Sequence, residues 1–152
     1  MSSTLIQIAD AVTAAINASG LLPAGVTAIR GYRPVVELED LVALHVTVVP
    51  KGVTLTGASR SLVQHDFDVD VGVQKRLPSD VSQDQAELDA LMALVEQLGD
   101  YFRLKRLDGL PSFSAVPGAW TKSENSPVFA PDHLEQMRVF TSVLTLTFRV
   151  HR

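Results

Sequence analysis

The chain has 152 residues, of which 46% are apolar and 20% are charged, and its 17 acidic and 13 basic residues leave a net charge of -4. This length and composition predict a single globular domain spanning residues 1–152 and exclude a disordered chain. The acidic balance argues against a broad nucleic-acid-binding surface, and the absence of cysteine excludes disulfides and thiolate metal sites.

The first half of the chain predicts one helix and three strands. Apolar residues recur at helical spacing over Ser3–Ala18. The predicted strands are Val26–Val36, Ala43–Val49 and Ser61–Lys75. Pro34 has no amide hydrogen to donate, so that end of the first strand should be an edge or should stop pairing. The segment Lys51–Arg60, here called the arm, is predicted to be an extended loop or a protruding hairpin between two antiparallel strands.

The strand Ser61–Lys75 alternates polar and apolar side chains along its length. Asp66, Asp68 and Asp70 share one face with Gln74, while the apolar residues share the other. A two-residue period is typical of a strand with one buried and one exposed face. The closing residues of the chain show the same alternation, so the sequence predicts two long strands of this kind.

The second half predicts a main helix followed by shorter elements. Ser82 is placed to cap this helix, with Gln85 in a capping box, and the helix should end among Arg103, Lys105 and Arg106. The remaining predicted elements are a loop at 108–119, a strand at Ala119–Ser123, a helical turn at Pro131–Gln136 and a closing strand at Val139–Arg152. The order predicts an α+β fold, with a mainly antiparallel or mixed four-stranded sheet and helices packed on one face.

The sequence also bears on location. No apolar run approaches the roughly 20 residues that a membrane-spanning helix needs. The first residues lack both the basic start and the long apolar stretch of a signal peptide. We therefore expect a soluble protein with no membrane partner, made in a cytoplasm.

The three aspartates have the alternating spacing that begins a calcium-binding loop. An EF-hand also needs Gly at its sixth position and Glu at its twelfth, where this chain has Val71 and Leu77. The surrounding alternation favours a strand over a tight loop. We therefore interpret Asp66, Asp68 and Asp70 as a solvated or partner-facing surface, and we predict no metal site.

The four histidines lie on different predicted elements and lack metal-ligand spacing. His65 and Asp66 are neighbours on a strand and point to opposite faces, which argues against a triad with Ser61. No glycine-rich phosphate loop or nucleophile elbow occurs. The sequence therefore predicts no enzyme and no cofactor. A competing hypothesis, a small cytoplasmic enzyme or ligand-binding domain, would use His65 or His133 in an apolar pocket.

Several side chains have two interpretations. Arg30, Arg33 and Arg60 are either ordinary surface charges or interface residues that pair with the aspartates of a neighbouring subunit. Trp120, the only tryptophan, lies between Pro-rich turns. It is either a plug over the core or an anchor in an interface.

Five segments of the chain carry a family resemblance. They are IADAV near the start, SRSLVQHDFDVDVGVQK, GDYFRLKRL, WTKSENSPVFAPDHLEQ and FTSVLTLTFRV near the end. Together they resemble small phage and prophage tail proteins of the tail-terminator or tail-completion type. The resemblance implies an α/β fold whose subunits form a ring, typically a hexamer. Such a ring caps the finished tail tube, meets the head connector and lets DNA pass without specific binding.

The resemblance implies a structural virion protein at the neck end of the tail, assembled in the cytoplasm of a bacterial host. Its partners would be copies of itself, the tail tube protein and the head-tail connector or neck protein. The residues expected at subunit or partner contacts are Arg30, Arg33, Lys51, Thr54, Thr56, Arg60, Asp66, Asp68, Asp70, Trp120, Lys122 and Phe129. A neck or head-tail joining protein on the head side is the main alternative.

Overall fold

A computed structural model describes residues 3–34, 39–107 and 118–152. Its elements are α1 Thr4–Ala18, β1 Ala28–Arg30, β2 His45–Gly57, β3 Val63–Arg76, α2 Asp84–Phe102, β4 Ala119–Glu124, α3 Pro131–Met137 and β5 Val139–His151. The predicted α+β class is confirmed. The mixed sheet has five strands in the order β1-β2-β3-β5-β4, and only β1 is parallel to its neighbour. The predicted number of four was wrong, because the short strand β4 also joins the sheet, at the edge beside β5.

The core lies between α1 and α2 and one face of the sheet, here called the inner face. The inner face is apolar along β3 and β5, where Phe67 lies opposite Phe148 and Val69 opposite Leu146. Buried residues of α1 and α2 belong to the same hydrophobic cluster as these side chains. Each such residue stabilises the fold by about 1.5–3 kcal/mol when fully buried. The alternation predicted for both long strands is therefore confirmed.

The strand β1 is much shorter than the predicted Val26–Val36. It ends at Arg30, and Val35 and Val36 lie outside the described residues. The amide of Gly31 donates to the carbonyl of Val48 at 2.9 Å. In a parallel ladder the amide of residue 50 would donate the next bond to the first strand, but residue 50 is proline. Pro50, rather than Pro34, therefore ends this pairing.

The strand β2 is longer than predicted, because most of the arm is strand. It runs to Gly57 and pairs with β3 as far as Val63, and the turn between them contains Ala58 and Leu62. The predicted antiparallel pairing of the two strands is confirmed. The predicted end of the second strand at Val49 was wrong, since the Pro-Lys-Gly sequence that indicated a turn forms an irregularity within the strand.

That irregularity is a β-bulge at Lys51. Pro50 lies opposite Val69 and Gly52 lies opposite Asp68, so Lys51 is an extra residue on β2. An extra residue reverses the alternation of the strand beyond it. After the bulge, Val53 and Leu55 continue the inner face, while Thr54 and Thr56 join the opposite face.

The helix α2 begins at Asp84, two residues after the predicted cap. Asp80 caps the preceding 3-10 turn, Val81–Gln83, by accepting hydrogen bonds from the amide of Ser82 at 3.1 Å and from its hydroxyl at 2.7 Å. These bonds lower the pKa of the Asp80 carboxyl from its usual value, the hydroxyl bond being the larger cause. The predicted capping role of Ser82 was wrong, because Ser82 donates rather than accepts here.

The remaining elements agree with their predicted positions within a few residues. The predicted strand at Ala119–Ser123 extends to Glu124, the helical turn extends to Met137, and the closing strand ends at His151. Most of the predicted loop at 108–119 lies outside the described residues. No helix in the described ranges is long and apolar enough to cross a membrane.

Candidate functional site

The sheet face opposite α1 and α2, here called the outer face, carries polar side chains in rows that cross the strands. Three central rows run from β2 through β3 and β5 to β4. They are Val49, Asp70, Thr145 and Glu124; Gly52, Asp68, Thr147 and Lys122; and Thr54, Asp66, Arg149 and Ala119. In these rows every position on β3 and β5 is polar, so the centre of the outer face is a polar surface, while the β2 and β4 positions also include Val49, Gly52 and Ala119.

Threonine hydroxyls on β5 satisfy two of the three aspartates. Thr145 Oγ1 donates to Asp70 Oδ1 at 2.6 Å, and Thr147 Oγ1 donates to Asp68 Oδ1 at 2.6 Å. Short bonds of this kind, from a hydroxyl to a carboxylate, are among the stronger hydrogen bonds in proteins. Because Thr147 is only 7% exposed, its hydroxyl has little access to water as an alternative partner.

The third aspartate forms an ion pair. Arg149 Nε donates to Asp66 Oδ1 at 2.8 Å and Arg149 Nη2 donates to Asp66 Oδ2 at 3.3 Å. Gln64 Nε2 donates to the same carboxylate at 3.2 Å. The hydrogen bond from Arg149 is the main reason that the pKa of Asp66 is lowered from its usual value. Asp66 therefore keeps its charge in the folded protein.

The bulge and the edge strand add further charges to the outer face. Lys51 Nζ lies 3.8 Å from Asp70 Oδ1, and Lys122 Nζ lies 3.7 Å from Glu124 Oε2. With Arg149, these lysines give three cations against four carboxylates in the central rows. The surface is polar but nearly neutral, which is unlike a surface that binds the nucleic-acid backbone.

The structure brings together seven of the twelve residues predicted at contacts. These are Lys51, Thr54, Thr56, Asp66, Asp68, Asp70 and Lys122, all on β2, β3 or β4. A shallow depression of about 410 Å³ lies among several of them, bordered also by Thr121, Thr147 and Arg149. The outer face and the arm are therefore one connected surface.

Arg60 lies in the turn at the end of the arm, and the other four predicted contact residues lie elsewhere. Arg30 pairs with Asp10 of α1 and lies over the ring of Tyr32, at 5.6 Å from the ring centre. Its pKa is raised by hydrogen bonds with Tyr32, the larger cause, and with Asp10. Arg33 and Arg60 are exposed. The charge of Arg30 thus holds the β1 edge to α1 within one chain.

The two predicted aromatic contacts both face the core. Trp120 is partly buried against the hydrophobic cluster, and its Nε1 donates to Ser123 Oγ at 2.7 Å. Phe129 packs against the same cluster, with its ring centre 6.4 Å from that of Phe140. These contacts favour the interpretation of Trp120 as a plug over the core.

Sequence reasoning missed the β5 partners of the aspartates. The alternation of the closing strand marks Arg149, Thr145 and Thr147 as polar positions, but it does not place them opposite Asp66, Asp70 and Asp68. The shared alternation of β3 and β5 indicated that the two strands belong to one sheet. It carried no information about which residues lie side by side.

A separate apolar groove lies between α2 and the segments at 21–26 and 42–44. Its volume is about 690 Å³, and its lining includes Leu44, Leu91 and Leu94. The two charged residues in the lining, Lys75 and Glu87, form an ion pair with each other. The described lining of the groove therefore presents no free charged group to a ligand.

The histidines of the catalytic hypothesis lie away from this groove. His65 stacks on Phe67 with ring centres 5.9 Å apart, and His133 Nδ1 lies 3.0 Å from Thr141 Oγ1. Neither residue is among those lining the groove. Within the described ranges, no group of three or more histidine, aspartate or glutamate residues is arranged to hold a metal ion.

A scan against models of known protein families and a search of curated proteins find no match for this chain.

Proposed function

We propose that the protein is a phage tail terminator, a subunit of a hexameric ring that caps the tail tube and docks on the head connector. Two independent lines support this proposal. One is the resemblance of five sequence segments to tail-terminator and tail-completion proteins. The other is a fold whose regular strands present a large polar face and an exposed arm.

The observation that carries the proposal is the outer face of the sheet. The described helices α1 and α2 cover only the inner face. The aspartates of the outer face are already paired with Thr145, Thr147 and Arg149 of the same chain. A neighbouring subunit can cover such a surface without leaving an unpaired charge buried, a cost that would otherwise oppose association.

The charge balance supports the proposed passage of DNA. A ring around DNA that carries clustered cations would bind the phosphates strongly and slow the movement of the strand. The chain has more acidic than basic residues, and the central rows of the outer face are nearly neutral. These features fit a channel that lets DNA slide.

Mass and shape measurements test the proposal. Purified protein should form particles of six chains of 16.4 kDa, visible as rings by electron microscopy. Added to growing tail tubes, it should bind one end and stop their elongation. A protein that stays at one or two chains at every concentration and does not bind tubes would refute the proposal.

A variant without part of the arm tests where the subunits meet. Deletion of 53–58 removes the tip of the β2–β3 hairpin, while β3 keeps its pairing with β5. We expect a folded chain that no longer forms rings. Unchanged particle mass after the deletion would show that the arm is not a ring contact.

The neck-protein alternative differs from the terminator in position. A terminator remains on isolated tails, whereas a head-side adaptor remains on isolated heads. Labelling the protein in separated heads and tails therefore distinguishes the two. Label found only on heads would replace the terminator assignment with the adaptor.

A further inference from the structure

The second half of β2, Lys51–Gly57, is an edge strand in the described structure. The parallel strand β1 pairs only with residues Val46 to Val48, and Pro50 cannot donate the next bond. On the side away from β3, none of the described strands pairs with Lys51–Gly57. An edge of this kind presents free amide and carbonyl groups along one line, which is a template for another strand.

The composition of this edge favours pairing. Natural proteins protect edges with charges, prolines and bulges, and here all of these lie at Pro50 and Lys51, the end of the edge nearest β1. The following residues, Val53 to Thr56, carry no charge and have high strand propensity. The side chains of Val53 and Leu55 are 46% and 59% exposed on the same side of the strand.

We propose that this edge pairs with the same edge of a second copy of the chain, antiparallel and centred on Thr54. The register places Thr54 opposite Thr54 of the partner subunit, Val53 opposite Leu55 of the partner subunit, and Lys51 opposite Gly57 of the partner subunit. All seven residues of the edge are then paired. A two-fold axis through Thr54 makes the contact self-complementary.

Self-complementarity is the reason to assign a second copy rather than another protein. The register gives two apolar Val–Leu pairs on one face and a threonine pair on the other, and such cross-strand pairs stabilise sheets. The two lysines lie at opposite ends of the contact, so like charges do not oppose each other. The sheets of two copies join into one sheet of ten strands.

The contact is short, so the dimer should be weak. Seven paired residues span about 24 Å, and a single strand pair buries less surface than a stable interface needs. We expect a dimer that dissociates on dilution. The inference does not depend on the proposed function. Since the arm is also a proposed ring contact, dimer and ring would compete for it.

Single-cysteine variants test the register, because the natural chain has no cysteine. Cα atoms of directly opposed residues lie about 4.5–5.5 Å apart, within the range that a disulfide can bridge. Thr54→Cys should therefore form disulfide-linked dimers under mild oxidation. In Thr56→Cys the two cysteines would lie four residues out of register, about 13 Å apart along the strands.

We expect Thr54→Cys to cross-link at least tenfold faster than Thr56→Cys at the same protein concentration. Equal rates, or no cross-linking of Thr54→Cys, would overturn the proposal. Both substitutions are at exposed positions of one strand, so a general effect on folding would act on both. Because ring and dimer would compete for the arm, cross-linking is measured on particles of one or two chains that have been separated from rings. Absence of the Thr54→Cys cross-link there would overturn the edge pairing whether or not rings form. Cross-linked dimers in a protein that never forms rings would instead refute only the proposed function.

Sedimentation of a second variant tests the contact without cysteine. Val53→Lys with Leu55→Lys places lysines opposite each other across the two-fold axis, and it should shift the protein to monomers. Val143→Lys changes an apolar side chain of similar exposure, 43%, on another strand and should leave the dimer intact. Dimers that persist in the double variant would contradict the proposed edge contact.

Discussion

Replacement of Thr147 by valine removes one hydrogen bond and little else. Valine has nearly the same shape as threonine, so the change deletes the hydroxyl that donates to Asp68 at 2.6 Å. The side chain is 7% exposed, and the carboxylate that loses its donor lies on the neighbouring strand. The variant therefore isolates one link between β3 and β5 on the outer face.

The expected loss follows from the kind of bond. Hydrogen bonds to charged groups contribute about 1.5–3 kcal/mol, and the lower end applies where water can partly replace the donor. Asp68 is only partly buried, so we expect a loss of about 1.5 kcal/mol. For a domain of this size, that corresponds to a fall in Tm of roughly 3–6 °C.

Urea denaturation of the wild type, Thr147→Val, Asp68→Asn and the double variant measures this coupling. All four should be compared at one low protein concentration, because association raises apparent stability. Thr145→Val provides a matched comparison, since it deletes an equally short bond to Asp70. Lys51 also lies near Asp70, so the loss should be smaller there.

A double-mutant cycle in which the effects of Thr147→Val and Asp68→Asn simply add would contradict the predicted hydrogen bond between the two side chains. Additive effects would mean that the two groups do not interact in solution. A loss of stability accompanied by a changed denaturant slope would mean that the variant altered the compactness of one state instead.

Three further predictions concern other residues. Arg149→Met should reduce stability at pH 7 but have less effect well below pH 3.8. The pKa of Asp66 is lowered in the folded protein, so the stabilisation from the Arg149–Asp66 ion pair is present above the usual pKa of 3.8 and is lost as the pH falls through the folded pKa. Urea titrations at both pH values measure the difference, and an equal effect at both would contradict the prediction. Gln74→Met should leave stability unchanged or raise it by up to about 1 kcal/mol in thermal unfolding, because Gln74 is 5% exposed and its Oε1 has no hydrogen-bond partner among the described residues. A clear loss of stability would show that the amide is hydrogen-bonded in solution. Gly118→Ala should lower the free energy of unfolding by about 1–3 kcal/mol in the same assay, because φ of Gly118 is +138° and the added Cβ would lie 3.3 Å from Leu107 Cδ1. An unchanged free energy of unfolding would show that the backbone can relax.

The long strands were predictable because each has one buried face. In β3 and β5, water on one side and the core on the other impose a period of two on the sequence. The inner residues Phe67 and Phe148 both follow this period and lie opposite each other. Helix α1 was predictable for the same reason, since its buried side chains recur at helical spacing.

The hairpin was one of two structures predicted for the arm, and the local sequence could not decide between it and an extended loop, because the local signals conflict. Pro50 and Gly52 indicate a turn, yet the pairing of β2 with β3 continues past them through the bulge at Lys51. Long-range pairing thus outweighs local turn preference. The partners of the outer aspartates were hidden for a related reason: the register between β3 and β5 depends on the packing of the whole sheet.

The two ends of the described chain lie side by side next to the hairpin turn. Arg152 exchanges two backbone hydrogen bonds of 3.0 Å with Val63, and its guanidinium donates to Thr4 Oγ1 at 2.9 Å. An affinity tag attached at either end would therefore emerge beside the arm and hinder whatever binds there. Mass measurements should use protein from which the tag has been cleaved, whereas a fluorophore placed at this corner would report directly when the arm becomes covered.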